Sequence, residues 1–548
     1  MIQLSTFNLG PAGPISLEAP MKAFQSRALL PLLTAASLLL PACGAMSPPS
    51  SGGAYPQSLS SRMASLSAEG LPTQPQDQAA NTEDYSRIYE NPFLTTLSHP
   101  LSTFSIDVDT AAYSNLRRYL SQGQLPPADA VRIEEMLNYF RYDYAKPSGD
   151  KPFAISTELS DCPWAPGHKL LQIGLQGKSI EMSQAPPSNL VFLLDVSGSM
   201  RQANKLPLLK QSLRLVVDQL REQDRVSIVV YASATGQVLP PTSGDQKEKI
   251  LAALDKLEAG GSTAGGAGIQ LAYQLARQHF VNGGNNRVIL ATDGDFNVGA
   301  SSDGELERLI AAKRQEGTFL TVLGYGMGNY KDNKLELLAN KGNGNYAYID
   351  SIAEARKVLV QEAGGTLLTI AKDVKLQLEF NPAKVASYRL IGYENRLLAA
   401  EDFANDAKDA GELGAGHTVT ALYQIVPADG QTQPQDLNYS ETQIKPDALS
   451  TTDLLTLKLR YKQPQSDSSE LISQPVADAP KPWSEASGNL RFAASVAGFG
   501  MLLRNSEHKG SISFDQVLEL GRSGLGPDPG GYRGAYLELV QQAMRLKK

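Results

Sequence analysis

Residues 191–200 read VFLLDVSGSM, and this run decides the fold. Val191 to Leu194 are four apolar residues in a row, the pattern of a strand covered on both faces. The run ends in Asp195, with Ser197 and Ser199 at alternate positions after it. A carboxylate and two hydroxyls delivered to one point begin an oxygen-ligand site for a hard divalent cation.

Outward from this strand, residues 187–365 alternate strand and helix patterns. The predicted strands are Leu190–Leu194, Val226–Tyr231, Val288–Ala291, Phe319–Leu323 and Tyr346–Ile349. Between the first two, Leu206, Leu209, Leu213, Val216 and Leu220 recur at three- and four-residue steps, the stripe of an amphipathic helix. Repeated βα units of this kind imply a doubly wound, mainly parallel α/β sheet of the Rossmann-like class.

Such sheets bind ligands at the carboxyl ends of their strands. Three predicted loops at that edge carry oxygen-bearing residues. They are Asp195 to Ser199, the glycine-rich Gly260 to Gly266 with Ser262 and Thr263, and Ala291-Thr292-Asp293-Gly294. Carboxylate, hydroxyl and water ligands suit Mg2+ or Mn2+.

Asp195, Ser197, Ser199, Thr263 and Asp293, in this order, resemble the metal-ion-dependent adhesion site of the von Willebrand factor type A domain. The resemblance implies that these five residues hold one Mg2+ or Mn2+, the hydroxyls directly and the aspartates often through water. It also implies a sixth position open to an acidic residue of a protein partner. Asp295 nearby reads as a loop or cap residue.

The likeness extends beyond this segment. The runs ENPFLTTL (90–97), STFSIDVDTAAYSNLRRYL (102–120), RIEEMLNYF (132–140), TVLGYGMGNYKDNKLELLA (321–339), YRLIGYENRLLAAEDF (388–403) and YRGAYLELV (532–540) resemble a bacterial group of A-domain lipoproteins of the YfbK type. That group flanks its A domain with an N-terminal segment and a C-terminal region.

Here the flanking segments are residues 85–180 and 366–548. In the first, FSIDVDTAAY (104–113) reads as a strand running into a helix, with Asp109 or Thr110 as its N-cap. Ala130 to Phe140 has helical spacing, and Leu170 to Leu175 reads as a strand. In the second, apolar residues alternate from Val374 to Phe380, Val419 to Ile425 and Leu455 to Tyr461, which predicts half-buried antiparallel strands. Gln463 to Gly488 reads as a loop, and the remainder as helices over Leu490–Leu503, Phe514–Leu520 and Tyr532–Arg545.

The first 42 residues read as a lipoprotein signal peptide. Lys22 and Arg27 precede the apolar run ALLPLLTAASLLL (28–40), which is too short to span a bilayer. The start can equally be Met21, because residues before it do not look like a signal. Leu40-Pro41-Ala42-Cys43 resembles the bacterial lipobox, so Cys43 is the expected acylation site; an ordinary secretory signal is the alternative. Residues 43–84 are rich in Ser, Pro, Gly, Ala and Gln and read as a disordered tether. With Cys43 acylated, Cys162 is the one remaining thiol and is expected to be structural.

Charge and composition narrow the function. The 548 residues carry a formal net charge of -7 and are 42% hydrophobic, so no basic nucleic-acid footprint exists and a sizeable core is available. None of the five histidines lies in an HExxH pattern, and no GxSxG elbow or Walker A loop is present. The expected function is therefore a binding protein of the bacterial envelope, not an enzyme. It would be held to the membrane by lipid alone, with the outer membrane favoured. A metal-assisted hydrolase and a structural envelope protein with a vestigial site are the alternatives.

Overall fold

The computed structural model describes residues 82–262, 265–294, 296, 302–429, 439 and 443–547. In the middle of the chain, six strands form one sheet in the spatial order Tyr346–Ile349, Phe319–Tyr325, Asn285–Thr292, Ser188–Asp195, Arg225–Tyr231 and Thr235–Ser243. By position in the domain this is sixth, fifth, fourth, first, second, third. All neighbours are parallel except the last pair. Every residue of Ser188–Asp195 and Asn285–Thr292 is buried, as befits strands covered on both faces. The helix Leu206–Gln219 turns Leu206, Leu209, Leu213 and Val216 into one core. The helix Gly265–Gln278 packs on the opposite face with Ile269, Ala272 and Ala276. The sheet is doubly wound, as the hydrophobic pattern predicts.

The strand Thr235–Ser243 is not among the predicted strands. It contains Pro240 and Pro241, and it forms an antiparallel sheet edge, where the missing N–H groups of proline are tolerated.

The flanking segments, read separately in the sequence, share two antiparallel sheets. One runs Leu94–Thr95, Val385–Ile391, Thr418–Pro427, Lys169–Gly177 and Phe153–Asp161. The other contains Gly411–Gly414, Thr369–Phe380, Asp453–Lys462 and Ser469–Ala477, with Leu101–Ser105 paired to Thr369–Phe380. Their inner faces meet over Leu171, Ile173, Leu376, Leu378, Tyr423 and Leu457. On the outer face of the first sheet, Leu170, Ile391 and Leu422 join a helical core with Met136, Phe492 and Tyr536. That core belongs to Ile133–Asn138, Gly488–Arg504 and Tyr532–Leu546. The result is a three-layer body of helices, sheet and sheet, built from both flanks of the A-type domain.

Two expectations change here. Within the expected loop 463–488, Ser469–Ala477 forms a strand paired to Asp453–Lys462. It is an edge strand whose Leu471 is 56% exposed, so its pattern is polar and weak. The helix Ala111–Ser121 follows Thr110, but no side chain of Thr110 caps it. Asp109 Oδ1 instead accepts from the amide of Tyr346 at 2.7 Å, and Glu135 Oε2 accepts from the amide of Ala112 at 2.7 Å.

The bonds of Asp109 and Thr110 to the backbone of Tyr346 dock the N-terminal flank against the outer strand Tyr346–Ile349 of the parallel sheet. Charged residues complete the junction. Arg132 pairs with Glu135 and Asp332, and Arg117 reaches Asp350 and Glu354 at 2.7 Å each. Arg396 bridges Asp107 and Asp109 at 3.1 and 3.2 Å. Burial, together with the neighbouring charge of Asp107, pushes the carboxyl of Asp109 well above the usual range. Among the described residues no helix is long and apolar enough to cross a membrane.

Candidate metal centre

Asp195 closes the strand Ser188–Asp195, and Asp293 follows the adjacent strand Asn285–Thr292 by one residue. These are the first and fourth strands of the domain. The chain winds to opposite sides of the sheet from here, and ligands of open α/β sheets bind in the crevice at such a reversal.

Asp195 is fully buried. Its Oδ1 accepts from the amide of Ser197 at 2.8 Å, which bends the chain sharply after the strand. Its Oδ2 accepts from Thr292 Oγ1 at 3.2 Å and from Tyr231 Oη at 3.3 Å. Burial raises its pKa to about 6. The hydrogen bonds from Ser197 work against that rise, and the charge of Asp293 adds to it. Ser197 Oγ and Ser199 Oγ lie 2.9 Å apart; Ser197 is buried and Ser199 is exposed. The carboxylate and both hydroxyls thus stand together at the mouth of the crevice.

The glycine-rich loop is tied to the same place by backbone hydrogen bonds. Gly198 N donates to Gly261 O at 2.9 Å, and Gly260 N donates to Val196 O at 2.8 Å. Ser262 is held aside by Ser233, whose Oγ accepts from its amide at 2.8 Å. Thr263, the expected hydroxyl ligand, lies outside the described residues, as do Asp295 and Cys43.

Asp293 is buried, and its two oxygens differ. Oδ2 accepts from Lys205 Nζ at 2.8 Å. Oδ1 is buried and, among the described residues, has no hydrogen-bond partner. A buried carboxylate oxygen without a donor is costly unless something cationic or acidic meets it. Gly294 next to it has a φ of +104°, and a Cβ there would lie 2.6 Å from the amide nitrogen of Lys331. Only glycine permits this approach of the turn to the 329–331 loop. That loop also receives the start of the folded chain, where Thr82 N donates to Gly328 O at 2.8 Å and Asp84 N to Tyr330 O at 3.0 Å.

Lys205, Tyr231 and Thr292 are the residues that the sequence reading does not assign to the site. Thr292 stands in the third oxygen-bearing loop, next to Asp293, and its hydroxyl turns to Asp195. Lys205 carries a weaker signal, a lysine placed just before an amphipathic helix. Beside the site, Met200, Leu206, Pro207 and Leu257 floor an open groove of about 470 Å3, with Arg201 and Lys210 among its charged lining residues.

A second carboxylate group lies elsewhere. Asp373, Asp409 and Glu412 bring oxygens within 4.8 Å of one another, but Lys462 pairs with Asp373 and Arg314 with Asp409. Cys162 is a buried free thiol whose pKa burial pushes up to about 12, as suits a structural residue.

A family model described as von Willebrand factor type A domain matches residues 189–361. One described as von Willebrand factor matches 79–172, and one described as uncharacterized protein YfbK, C-terminal, matches 365–546. The uncharacterized protein YfbK of Escherichia coli (strain K12) is 43% identical over 469 residues, which is 84% of this chain and 81% of that protein. The chain belongs to the YfbK family of von Willebrand factor type A domain proteins. The uncharacterized protein sll0103 of Synechocystis is 28% identical over 211 residues, covering 38% of this chain and 48% of that protein. Among solved structures, a von Willebrand factor type A protein from Catenulispora acidiphila covers 73% of this chain and 91% of its own, with 14% identity and a TM-score of 0.41.

The A domain is a fold widely used for protein interaction and for metal binding. Here the two adjacent strand ends offer two buried carboxylates and two hydroxyls, one carboxylate oxygen having no hydrogen-bond partner among the described residues. The donor set fits a hard divalent cation by ligand type.

Proposed function

We propose that this protein is a lipid-anchored envelope protein whose A domain holds Mg2+ or Mn2+ and uses it to bind an acidic residue of a protein partner. The observation that carries the reading is Asp293 Oδ1, buried and without a hydrogen-bond partner among the described residues, one residue past the strand that lies beside the Asp195 strand. Ser197, Ser199 and Thr263 would supply hydroxyl ligands, with Asp195 and Asp293 acting directly or through water. The bound ion would be the largest local charge and would attract a carboxylate into its open position. The adjoining groove, with Arg201 on its border, would receive residues next to that carboxylate. Cys43 would carry the lipid, with residues 44–81 as the tether to the outer membrane; Thr82 to Asp84, read as tether in the sequence, are instead bound to the 328–331 loop and Arg118.

The test is affinity capture from detergent-solubilised envelopes with the wild type and Asp195→Ala, each in Mg2+ and in EDTA. A partner retained only by the wild type in Mg2+ is the expected result. Equal retention of that partner in EDTA would sink the reading.

A further inference from the structure

We propose that Lys205 is a built-in counter-ion of the cation site, one that weakens cation binding and makes the loaded site selective for an acidic partner. The inference rests on the reading of Asp195 and Asp293 as a cation site.

Lys205 ends the loop that follows the Asp195–Ser199 motif, and it immediately precedes the helix Leu206–Gln219. Its side chain runs inward and is only 5% exposed. Burying an ammonium group is expensive unless it is paired, and the partner is Asp293 Oδ2 at 2.8 Å. The route to Asp293 is made by Gly326. A Cβ at that position would lie 2.3 Å from Lys205 Cε and 2.6 Å from Cγ, and the residue has a φ of +78°. Both the missing side chain and the left-handed backbone at Gly326 therefore serve the passage of the lysine. The ammonium occupies one oxygen of Asp293, and the other has no hydrogen-bond partner among the described residues.

Charge counting gives this pair a consequence. Two ionised carboxylates and a divalent cation sum to zero, so a partner carboxylate would add uncompensated negative charge. With Lys205 present the loaded site carries one net positive charge, and a single partner carboxylate neutralises it. The same lysine repels the incoming cation, so the cation is held loosely until the partner arrives. In the cation-free protein Lys205 offsets the repulsion between Asp195 and Asp293.

The proposal is tested with purified residues 82–548 as wild type, Lys205→Met and Lys205→Gln. Mg2+ is titrated by calorimetry, and thermal unfolding is followed with and without Mg2+. Lys205→Gln is included because it keeps a polar group at the site if the Met variant folds poorly. Both neutral variants are expected to bind Mg2+ about tenfold more tightly or better, because a unit charge is removed close to the ion. They are also expected to unfold at a lower temperature without Mg2+ and to gain more from its addition. Binding by the variants where the wild type shows none would support the proposal equally. If the wild type binds Mg2+ and both variants bind it equally or more weakly, Lys205 is not a counter-ion and the cation site stands. If none of the three binds Mg2+ or Mn2+, both readings fall.

Discussion

At the scale of single residues, the grouping of Asp195, Ser197 and Ser199 was legible and the residues that hold it were not. Asp195, Ser197 and Ser199 are three alternate positions after an apolar run, so sequence spacing alone brings them together. Tyr231, Thr292 and Lys205 bond to the two aspartates from 36, 97 and 88 positions away, and no local pattern reports such distances. His417 is another residue whose role emerges only in three dimensions. Its ring lies against Gly365, where a Cβ would come within 2.1 Å of Cδ2. Burial lowers its pKa to about 4; Lys357 and Arg141 act in the same direction, and Glu362 opposes them. The unfolded chain, with an imidazole near 6.5, binds a proton that the folded state refuses. The share of stability that depends on a neutral His417 is therefore fully present above about pH 6.5 and is lost as pH falls toward 4. Urea unfolding of His417→Gln against wild type should show about 3 kcal/mol less loss across that window. Parallel pH profiles for the two proteins would contradict it.

At the scale of elements, periodicity marked the strands with long apolar or alternating runs but not every buried strand: Val385–Ile391, interior to its sheet, and Phe153–Asp161 were not predicted. The five predicted strands of the parallel sheet are present because continuous apolar runs mark strands covered on both faces, the outer strand Tyr346–Ile349 included. Thr235–Ser243 and Ser469–Ala477 escaped because edge strands carry proline and polar residues, which reads as loop. The N-terminal helix Ala111–Ser121 was expected, but its capping was misassigned. Asp109 serves the neighbouring strand, and Glu135 supplies the acceptor from another helix. That junction depends on Arg132, which is buried between Glu135 and Asp332. Arg132→Ala leaves both carboxylates buried without their cation, and removal of one member of such a group costs about 3–5 kcal/mol. Denaturant unfolding should show a loss of this size. A loss below about 1 kcal/mol, the range of an exposed pair, would mean the junction is solvated.

At the scale of the whole molecule, the A domain sits in the chain between two segments that fold as one. Strands from 94–177 pair with strands from 385–427, and Leu101–Ser105 joins Thr369–Phe380. Alternation in the sequence reveals that a strand has an inner face. It does not reveal which strand, hundreds of residues away, lies beside it, so the three-layer body was not legible. Residues 366–548 expressed alone should lack a cooperative thermal transition by circular dichroism, because the Thr418–Pro427 strand loses its neighbour Lys169–Gly177. A sharp transition equal to that of residues 82–548 would show that the C-terminal region is an independent domain. The proposed function requires a divalent cation at the crevice between Asp195 and Asp293. Calorimetric titration of Mg2+ into residues 82–548, wild type against Asp195→Ala, tests it most directly. One binding site in the wild type and none in the folded variant is the predicted result; equal binding by the two proteins, or none by the wild type with either Mg2+ or Mn2+, would contradict it.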